Sequence, residues 1–341
     1  MKALSKIVTR CQFHRRGLAL ALVCAAALGL GMPAHAQAQA PVWPNKPVKL
    51  IIPAPGGSAA DVLARMVGER FTALSGQPMI IDLRPGADGA LAAVAAARSE
   101  PDGQTLLLGN AGIMTVNPHF NSKLAYDPVK DFAPISLLVN NVIVLTVRPS
   151  LGVNSVQELV AASRAKPGTM NYASVGGRGG VPFLSGQLLR QQGGADLTWV
   201  GYASEGQARS DLMAGQIQVM FDTLASSLPL VQSGRLKILA VTGNARAPQL
   251  PQVPTLIESG FPGVQGVGWL GLYAPAATPA AQLASAQQLF SRIFADAELR
   301  ERMLALGMEP VASTTEALAT MQRGDHAKWG KLIKDAGIKA E

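Results

Sequence analysis

The sequence predicts an α/β protein of two domains whose strands run mostly parallel. Short β-branched runs alternate with Ala- and Leu-rich stretches along the 341 residues, the pattern of strands covered by helices. The hydrophobic fraction of 48%, over a length above the usual single-domain size, supports a large core divided between two domains. Glycine-rich turns follow the apolar runs, while no fixed-period repeat and no low-complexity linker divides the chain.

The N-terminal element stands outside that fold. Lys2, Lys6, Arg10, Arg15 and Arg16 form a basic region, residues 17–30 are apolar, and Ala34-His35-Ala36 or Ala36-Gln37-Ala38 offers a small-residue cleavage site. Residues 1–38 therefore read as a secretory signal peptide, and the remainder is expected to be exported. The apolar stretch is too short for a spanning helix, and no later segment reaches about 18 uninterrupted apolar residues. The mature protein is expected not to be membrane-embedded. Val23 precedes Cys24, where a lipoprotein signal wants a small residue, so no lipid anchor is expected.

The formal charge of +8 includes those five basic residues; without them 25 basic and 22 acidic residues leave a net +3. The basic residues are scattered and only 5% of the chain is aromatic, so no nucleic-acid partner is expected. Cys11 and Cys24 both lie in the signal, which excludes disulfides, thiolate nucleophiles and cysteine metal sites from the mature chain.

Strands are predicted at 48–52, 79–83, 105–108, 142–147, 170–173, 198–200, 219–221 and 238–241. Helices are predicted at 61–74, 87–98, 155–165, 182–192, 205–214, 280–295, 297–306 and 315–336, the last with a possible break near Gly324. The run 142–150 and the glycine-studded run 260–271 read as crossings between domains, or as ordinary surface segments. Taken as crossings, they give a discontinuous first lobe, 41–147 with 265–341, and a second lobe, 148–264.

At 51–61 an apolar strand enters Pro53-Ala54-Pro55-Gly56-Gly57-Ser58 and then a helix with Val62, Leu63, Met66, Val67, Phe71 and Leu74 on one face. Glycine there frees backbone amides at a helix start, where negative charge is favoured without a lysine. An ordinary βα connection capped by Ser58 or Asp61 fits the same residues. Similar loops follow at 108–115, 171–177, 201–206 and 221–223. In open α/β sheets such loops gather at the carboxyl ends of the strands, where ligands bind.

Catalytic groups are scarce. Outside the signal only His119 and His326 remain, far apart in sequence, so no zinc cluster, other metal site or cofactor is expected. Neither H-E-x-x-H nor G-x-S-x-G occurs, since Ala60 stands where the elbow after Ser58 needs glycine. The run 324–332 misses P-loop spacing, and Pro182 ends the Gly176-Gly177-Arg178-Gly179-Gly180 run where a dinucleotide fingerprint needs glycine. A secreted serine hydrolase would need Ser58 or Ser174 to meet a distant histidine in space.

Order and spacing of several segments resemble one family. They are Trp43-Pro44 leading into the PGG loop and Asp61; Arg84-Pro85-Gly86-Ala87-Asp88-Gly89; Pro101-Asp102-Gly103-Gln104-Thr105; and Tyr126-Asp127-Pro128-Val129-Lys130-Asp131-Phe132. Asn171-Tyr172-Ala173-Ser174, Asp211-Leu212-Met213-Ala214-Gly215-Gln216, Phe221-Asp222, Leu239-Ala240-Val241-Thr242 and Val253-Pro254-Thr255 follow. The chain resembles the Bug-type extracytoplasmic solute receptors of tripartite tricarboxylate transporters over nearly its whole mature length. That resemblance implies a type II periplasmic-binding-protein fold, two lobes joined by two crossings, with a small organic anion in the cleft and a membrane permease as partner. It implies a monomer, no chemistry and no cofactor. Binding positions carry over to Gly57 and Ser58 with Asp61 behind them, Asn110, Thr115, Ser174, Gly176, Tyr202 and Asp222. Arg178 is added as a bidentate clamp for a second carboxylate, or as a solvated arginine. An exported sensor would use the same fold.

Several residues depart from the family pattern: three residues separate Gly57 from Asp61, Ala54 replaces an aromatic residue, and Phe183 stands where histidine is frequent. Gly201 and Ala203 flank Tyr202 in place of a proline and a basic residue, and the 177–179 loop is one residue longer. Ligand preference is expected to differ at these places.

Overall fold

A computed structural model describes residues 43–338 except 122 and 336. The signal peptide expected over 1–38, with both cysteines, lies outside the described residues. In chain order the first elements are β1 (Val48–Ile52), α1 (Ala59–Ser75), β2 (Met79–Leu83), α2 (Ala90–Ala97), β3 (Thr105–Asn110) and β4 (Phe132–Asn141). Next come β5 (Ile143–Val147), α3 (Val156–Ala165), β6 (Asn171–Val175), α4 (Val181–Gln191), β7 (Thr198–Tyr202) and α5 (Glu205–Ala214). The chain continues through β8 (Val219–Thr223), α6 (Leu224–Gln232), β9 (Lys237–Val241) and β10 (Gly268–Pro275). It closes with α7 (Ala280–Phe294), α8 (Ala297–Ala305), β11 (Met308–Pro310) and α9 (Thr315–Asp335).

Two sheets form, ordered β11-β4-β10-β3-β1-β2 and β7-β6-β8-β5-β9. The second order repeats the first from β4 to β2 in reverse, so one plan builds both halves. In the first sheet β1, β2, β3 and β4 share a direction while β10 and β11 run against it. In the second, β5 alone opposes β6, β7, β8 and β9. The opposed strands β5 and β10 are the ones that the chain lays down just after changing sheets. No βα crossover precedes them, so nothing turns them parallel to their neighbours.

The sheet change corrects the expected lobe boundary. The sequence reading puts residues 143–147 in the first lobe, yet β5 pairs with β8 through Val144↔Asp222 and with β9 through Val144↔Val241. The chain leaves the first sheet at Val142, where the apolar run 142–147 gives no sign of a break. It returns between β9 and β10.

Helix α1 is set by local chemistry at both ends. Ser58 accepts a hydrogen bond from the Asp61 amide, and Gly76 at φ 70° closes the C-terminus on the Thr72 carbonyl. Its buried face holds Leu63, Ala64, Val67 and Phe71, while Leu74, expected inside, stays exposed at 42%. Each fully buried leucine or phenylalanine there contributes about 1.5–3 kcal/mol. These residues join Leu50, Phe290 and Ile293 in one core beneath the first sheet. A second core draws Leu107 and Tyr273 from the first sheet together with Tyr172, Phe183 and Phe221 from the second half. Among the described residues no helix is long and apolar enough to cross a membrane.

Candidate functional site

The loops expected to bind lie at the carboxyl ends of strands in both sheets. After β1, Ser58 Oγ accepts from the Asp61 amide at 3.3 Å, and Asp61 Oδ2 accepts from the Gly57 amide at 2.8 Å. Asp61 is buried, and its Oδ1 faces Arg65 Nε at 2.9 Å. The Gly57 amide thus already holds the chain's own carboxylate. The next two amides, of Ala59 and Ala60, have no intrahelical acceptor and are the anion donors this helix start offers.

At the end of β3, Asn110 Oδ1 accepts from the Ile113 amide at 3.0 Å and opens a single π-helical turn, Gly112–Val116. Thr115 in that turn is fully buried, and its hydroxyl donates to the Ala111 carbonyl at 2.6 Å. It shapes the turn from within. A β-hydroxyl four residues after a carbonyl is the signal for this bond, and it competes with any ligand.

The loop after β2 carries a family motif but is not among the binding elements expected from sequence. Gly86, Ala87, Asp88 and Gly89 take φ of 117°, 48°, 50° and 85° in succession. Glycine adopts these values freely; for Ala87 and Asp88 the left-handed region costs about 1–2 kcal/mol each. Two bonds hold the loop in place. Gly89 N donates to the Gly86 carbonyl at 2.9 Å, and Asn117 Nδ2 donates to the Asp88 carbonyl at 3.0 Å. Gly89 also sits where a Cβ would fall 2.5 Å from Ile113 Cδ1 and 3.1 Å from Pro53 Cβ. The loops following β1, β2 and β3 therefore pack on one another.

In the second half, Ser174 is fully buried at the end of β6, and its Oγ accepts from Trp199 Nε1 at 2.9 Å. Arg178 lies over the Trp199 ring, 5.4 Å from its centroid, and Phe183 meets the same ring at 4.8 Å. Tyr202 donates its hydroxyl to Asp211 Oδ2 at 2.8 Å. Asp222 is buried and fully engaged: Oδ2 accepts from Arg209 Nη1 at 3.1 Å and Ser227 Oγ at 2.8 Å, and Oδ1 from the Thr223 amide at 2.8 Å. Arg209 also reaches Glu205 Oε2 at 3.3 Å, which in turn accepts from Ser226 Oγ at 2.8 Å. Burial, then the neighbouring Glu205, pushes the Asp222 carboxyl up to about 6, against the opposing pull of Arg209 and Ser227. Glu205, expected to pair with a ligand amine or with Arg178 or simply to begin its helix, is a partner of Arg209.

The two halves meet at the Gly176–Gly180 loop. A Cβ on Gly177 would lie 1.9 Å from Asp88 Oδ1, one on Gly179 would lie 2.0 Å from Asn117 Oδ1, and one on Gly112 2.7 Å from the Gly179 carbonyl. Phe120 and Phe183 add an edge contact at 6.5 Å across the same seam. Among the expected residues, Gly176 and Arg178 belong to the loop that crosses, and Gly57, Ser58 and Asn110 to the loops behind its partners. Thr115, Tyr202 and Asp222 spend their polar atoms inside their own half. Asp88, Asn117 and Trp199 are not among the residues expected from sequence. For Asp88 the signal lies in a non-glycine pair inside a Pro-Gly-x-x-Gly turn; for Trp199 it lies in a large aromatic residue two positions before Gly201 at a strand end.

The serine and histidine side chains do not combine. Ser58 and Ser174 engage the Asp61 amide and Trp199, while His119 Nε2 lies 2.9 Å from the His326 carbonyl. No group of three or more metal-ligating side chains occurs among the described residues. A depression of about 650 Å³, lined in part by Pro118, Tyr126, Asp127 and His326, lies on the first half and takes no residue from the Gly176–Gly180 loop.

Comparison with known proteins places this geometry. A family model described as the tripartite tricarboxylate transporter family receptor matches residues 63–338. A UPF0065 protein of Bordetella bronchiseptica is 34% identical over 300 residues, 88% of either chain. Rpa4515 of R. palustris, solved with adipate, superposes at a TM-score of 0.82 with 31% identity, covering 87% of this chain and 99% of that one. The periplasmic binding protein BugD gives 0.81 with 29% identity over 88% and 100%. MatC of Rhodopseudomonas palustris, solved with malate, gives 0.79 with 30% identity over 85% and 100%.

Proposed function

The chain belongs to the tripartite tricarboxylate transporter receptor family, and from that premise we propose that it captures a small carboxylate between its two sheets and delivers it to a membrane permease. It is a solute-binding receptor and not an enzyme, with the two-lobed periplasmic-binding architecture. We take the lobes to be the two sheets with their helices, split at Val142 and rejoined before Gly268, and the working location to be the periplasm. The receptor is read as a monomer.

One observation carries the ligand reading: the Gly176–Gly180 loop rests directly on Asp88, Gly112 and Asn117 at the strand ends of the other sheet. Such a seam is where a ligand is enclosed when two lobes close. The amides of Ala59 and Ala60 and the guanidinium of Arg178 supply the groups a carboxylate needs. Adipate and malate in two relatives support the same ligand class.

Thermal-shift screening of residues 39–341 against organic acids and amino acids tests the reading. A ligand at 100 times its dissociation constant stabilises by about 2.7 kcal/mol, which raises Tm by several degrees. A flat response to every acid would overturn it.

A further inference from the structure

We propose that Asp88 sets the ligand class of this receptor, favouring a carboxylate that also carries a protonated amine over a plain dicarboxylate; the inference rests on the receptor reading above. Asp88 belongs to the first half, yet its Oδ1 stands where a Cβ of Gly177, in the second half, would fall 1.9 Å away. Its position is held by the backbone. The left-handed turn at Ala87 and Asp88 is fixed by the Gly86–Gly89 bond and by Asn117 Nδ2 on the Asp88 carbonyl.

An ordinary structural role does not account for it. Helix α2, which starts just beyond, is capped by Gly89 without any side-chain bond, so Asp88 is not serving as its cap. Partial desolvation raises the Asp88 carboxyl although the residue itself stays exposed. A carboxylate only accepts hydrogen bonds when ionised. At a seam where ligand is enclosed it attracts an ammonium and repels a second carboxylate at close range. The Ala59 and Ala60 amides and Arg178 are the groups that would take the ligand's own carboxylate, leaving Asp88 to take its amine.

Titration calorimetry with matched probe pairs tests this: L-glutamate with glutarate, L-aspartate with succinate, and L-phenylalanine with 3-phenylpropanoate. Each pair differs only by the amine. Wild type is expected to favour the amine-bearing partner of at least one pair. Asp88→Asn keeps the shape and suits left-handed backbone, and it should shift that preference at least tenfold toward the plain acid, about 1.4 kcal/mol. Asp88→Gly should shift it likewise while raising Tm, which guards against a folding defect in the first variant. An unchanged ratio in both variants, or wild-type binding confined to the plain acids, overturns the inference and leaves the receptor reading intact. Failure of wild type to bind any of the six overturns this inference, and the receptor reading falls with it only where the thermal screen is flat to every acid as well.

Discussion

The imidazole rings of His119 and His326, 207 residues apart in sequence, lie with centroids 4.2 Å apart and planes tilted by 42°. The pair ties the short helical turn Asn117–Phe120 to the long helix α9, and Gly330 leaves room for it, since a Cβ there would fall 2.5 Å from the His119 ring. Burial, then the adjacent His119, holds His326 below the usual histidine range, against a smaller opposing effect of Asp127. A depressed histidine favours the neutral fold, so its contribution is present above the ordinary value of about 6.5 and is lost as pH falls through the lowered one. The raised carboxyls of Asp88 and Asp222 act in the opposite sense over the acid range. The comparison is therefore made against a variant. Tm measured from pH 7.5 to pH 5 should fall less steeply in His326→Gln than in wild type; parallel curves would show that the pair does not titrate with folding.

Gly57 and Gly177 share positive φ, 77° and 62°, but not surroundings: a Cβ meets nothing within 4 Å at Gly57 and meets Asp88 at Gly177. Gly57→Ala should cost only the backbone term, about 1–2 kcal/mol, or about 2–4 °C of Tm per kcal/mol. Gly177→Ala should cost more, because Asp88 must move or the halves must part. Adding Asp88→Gly should restore most of that excess. Equal losses in the two single variants, without recovery in the double, would remove the seam as the reason for glycine.

Much of the fold is readable because strand and helix periods survive in the sequence. β1 to β3, β5 to β9 and most helices fall within a few residues of their expected places. The strands missed carry breakers: β4 contains Pro134, which pairs with Tyr273 beside a register shift, β10 contains Gly268 and Gly271, and the three-residue β11 ends at Pro310. Gly271 is not a hinge. A Cβ there would press on Leu318 at 3.1 Å, so the glycine answers to α9, more than forty residues later. Helix α6 is hidden by Pro229. At the site, loops after β1, β3 and β6 are legible from glycine following an apolar run. Asp88 is not, because its conformation is set by Asn117, 29 residues away, and its neighbour Gly177 lies in the other half. Asp222 is legible as a polar strand end but not as a saturated one, since Arg209 and Ser227 reach it only in three dimensions.

Arg209 bridges two carboxylates, Glu205 at 3.3 Å and the buried Asp222 at 3.1 Å. Removing it strands a buried charge, which typically costs about 3–5 kcal/mol. Arg209→Met should therefore lower the urea midpoint sharply, and Asp222→Asn in the same chain should recover a large part, because the amide carries no charge to strand. The single Asp222→Asn variant should still bind whatever acid the wild type binds, with affinity changed by less than about tenfold (about 1.4 kcal/mol). A complete loss of binding in that variant would return Asp222 to the ligand's own contacts.

Among the four tryptophans, Trp43, Trp269 and Trp329 are 6%, 2% and 0% exposed, whereas Trp199 is only half-buried. Its ring carries Arg178 on one face, abuts Phe183, and donates to Ser174, all within the loop system that meets Asp88. A carboxylate drawn to Arg178 must change the charge above that indole and the solvent beside it. Saturating any acid found in the thermal screen should thus alter tryptophan emission, and Trp199→Phe should remove most of the change. Phenylalanine retains the packing on Phe183 and the ring beneath Arg178, losing one hydrogen bond worth about 1 kcal/mol. The variant should accordingly remain folded and still bind. An emission change that persists undiminished in Trp199→Phe would place the ligand-sensitive tryptophan in the buried core, and the enclosing seam would have to be sought away from Arg178.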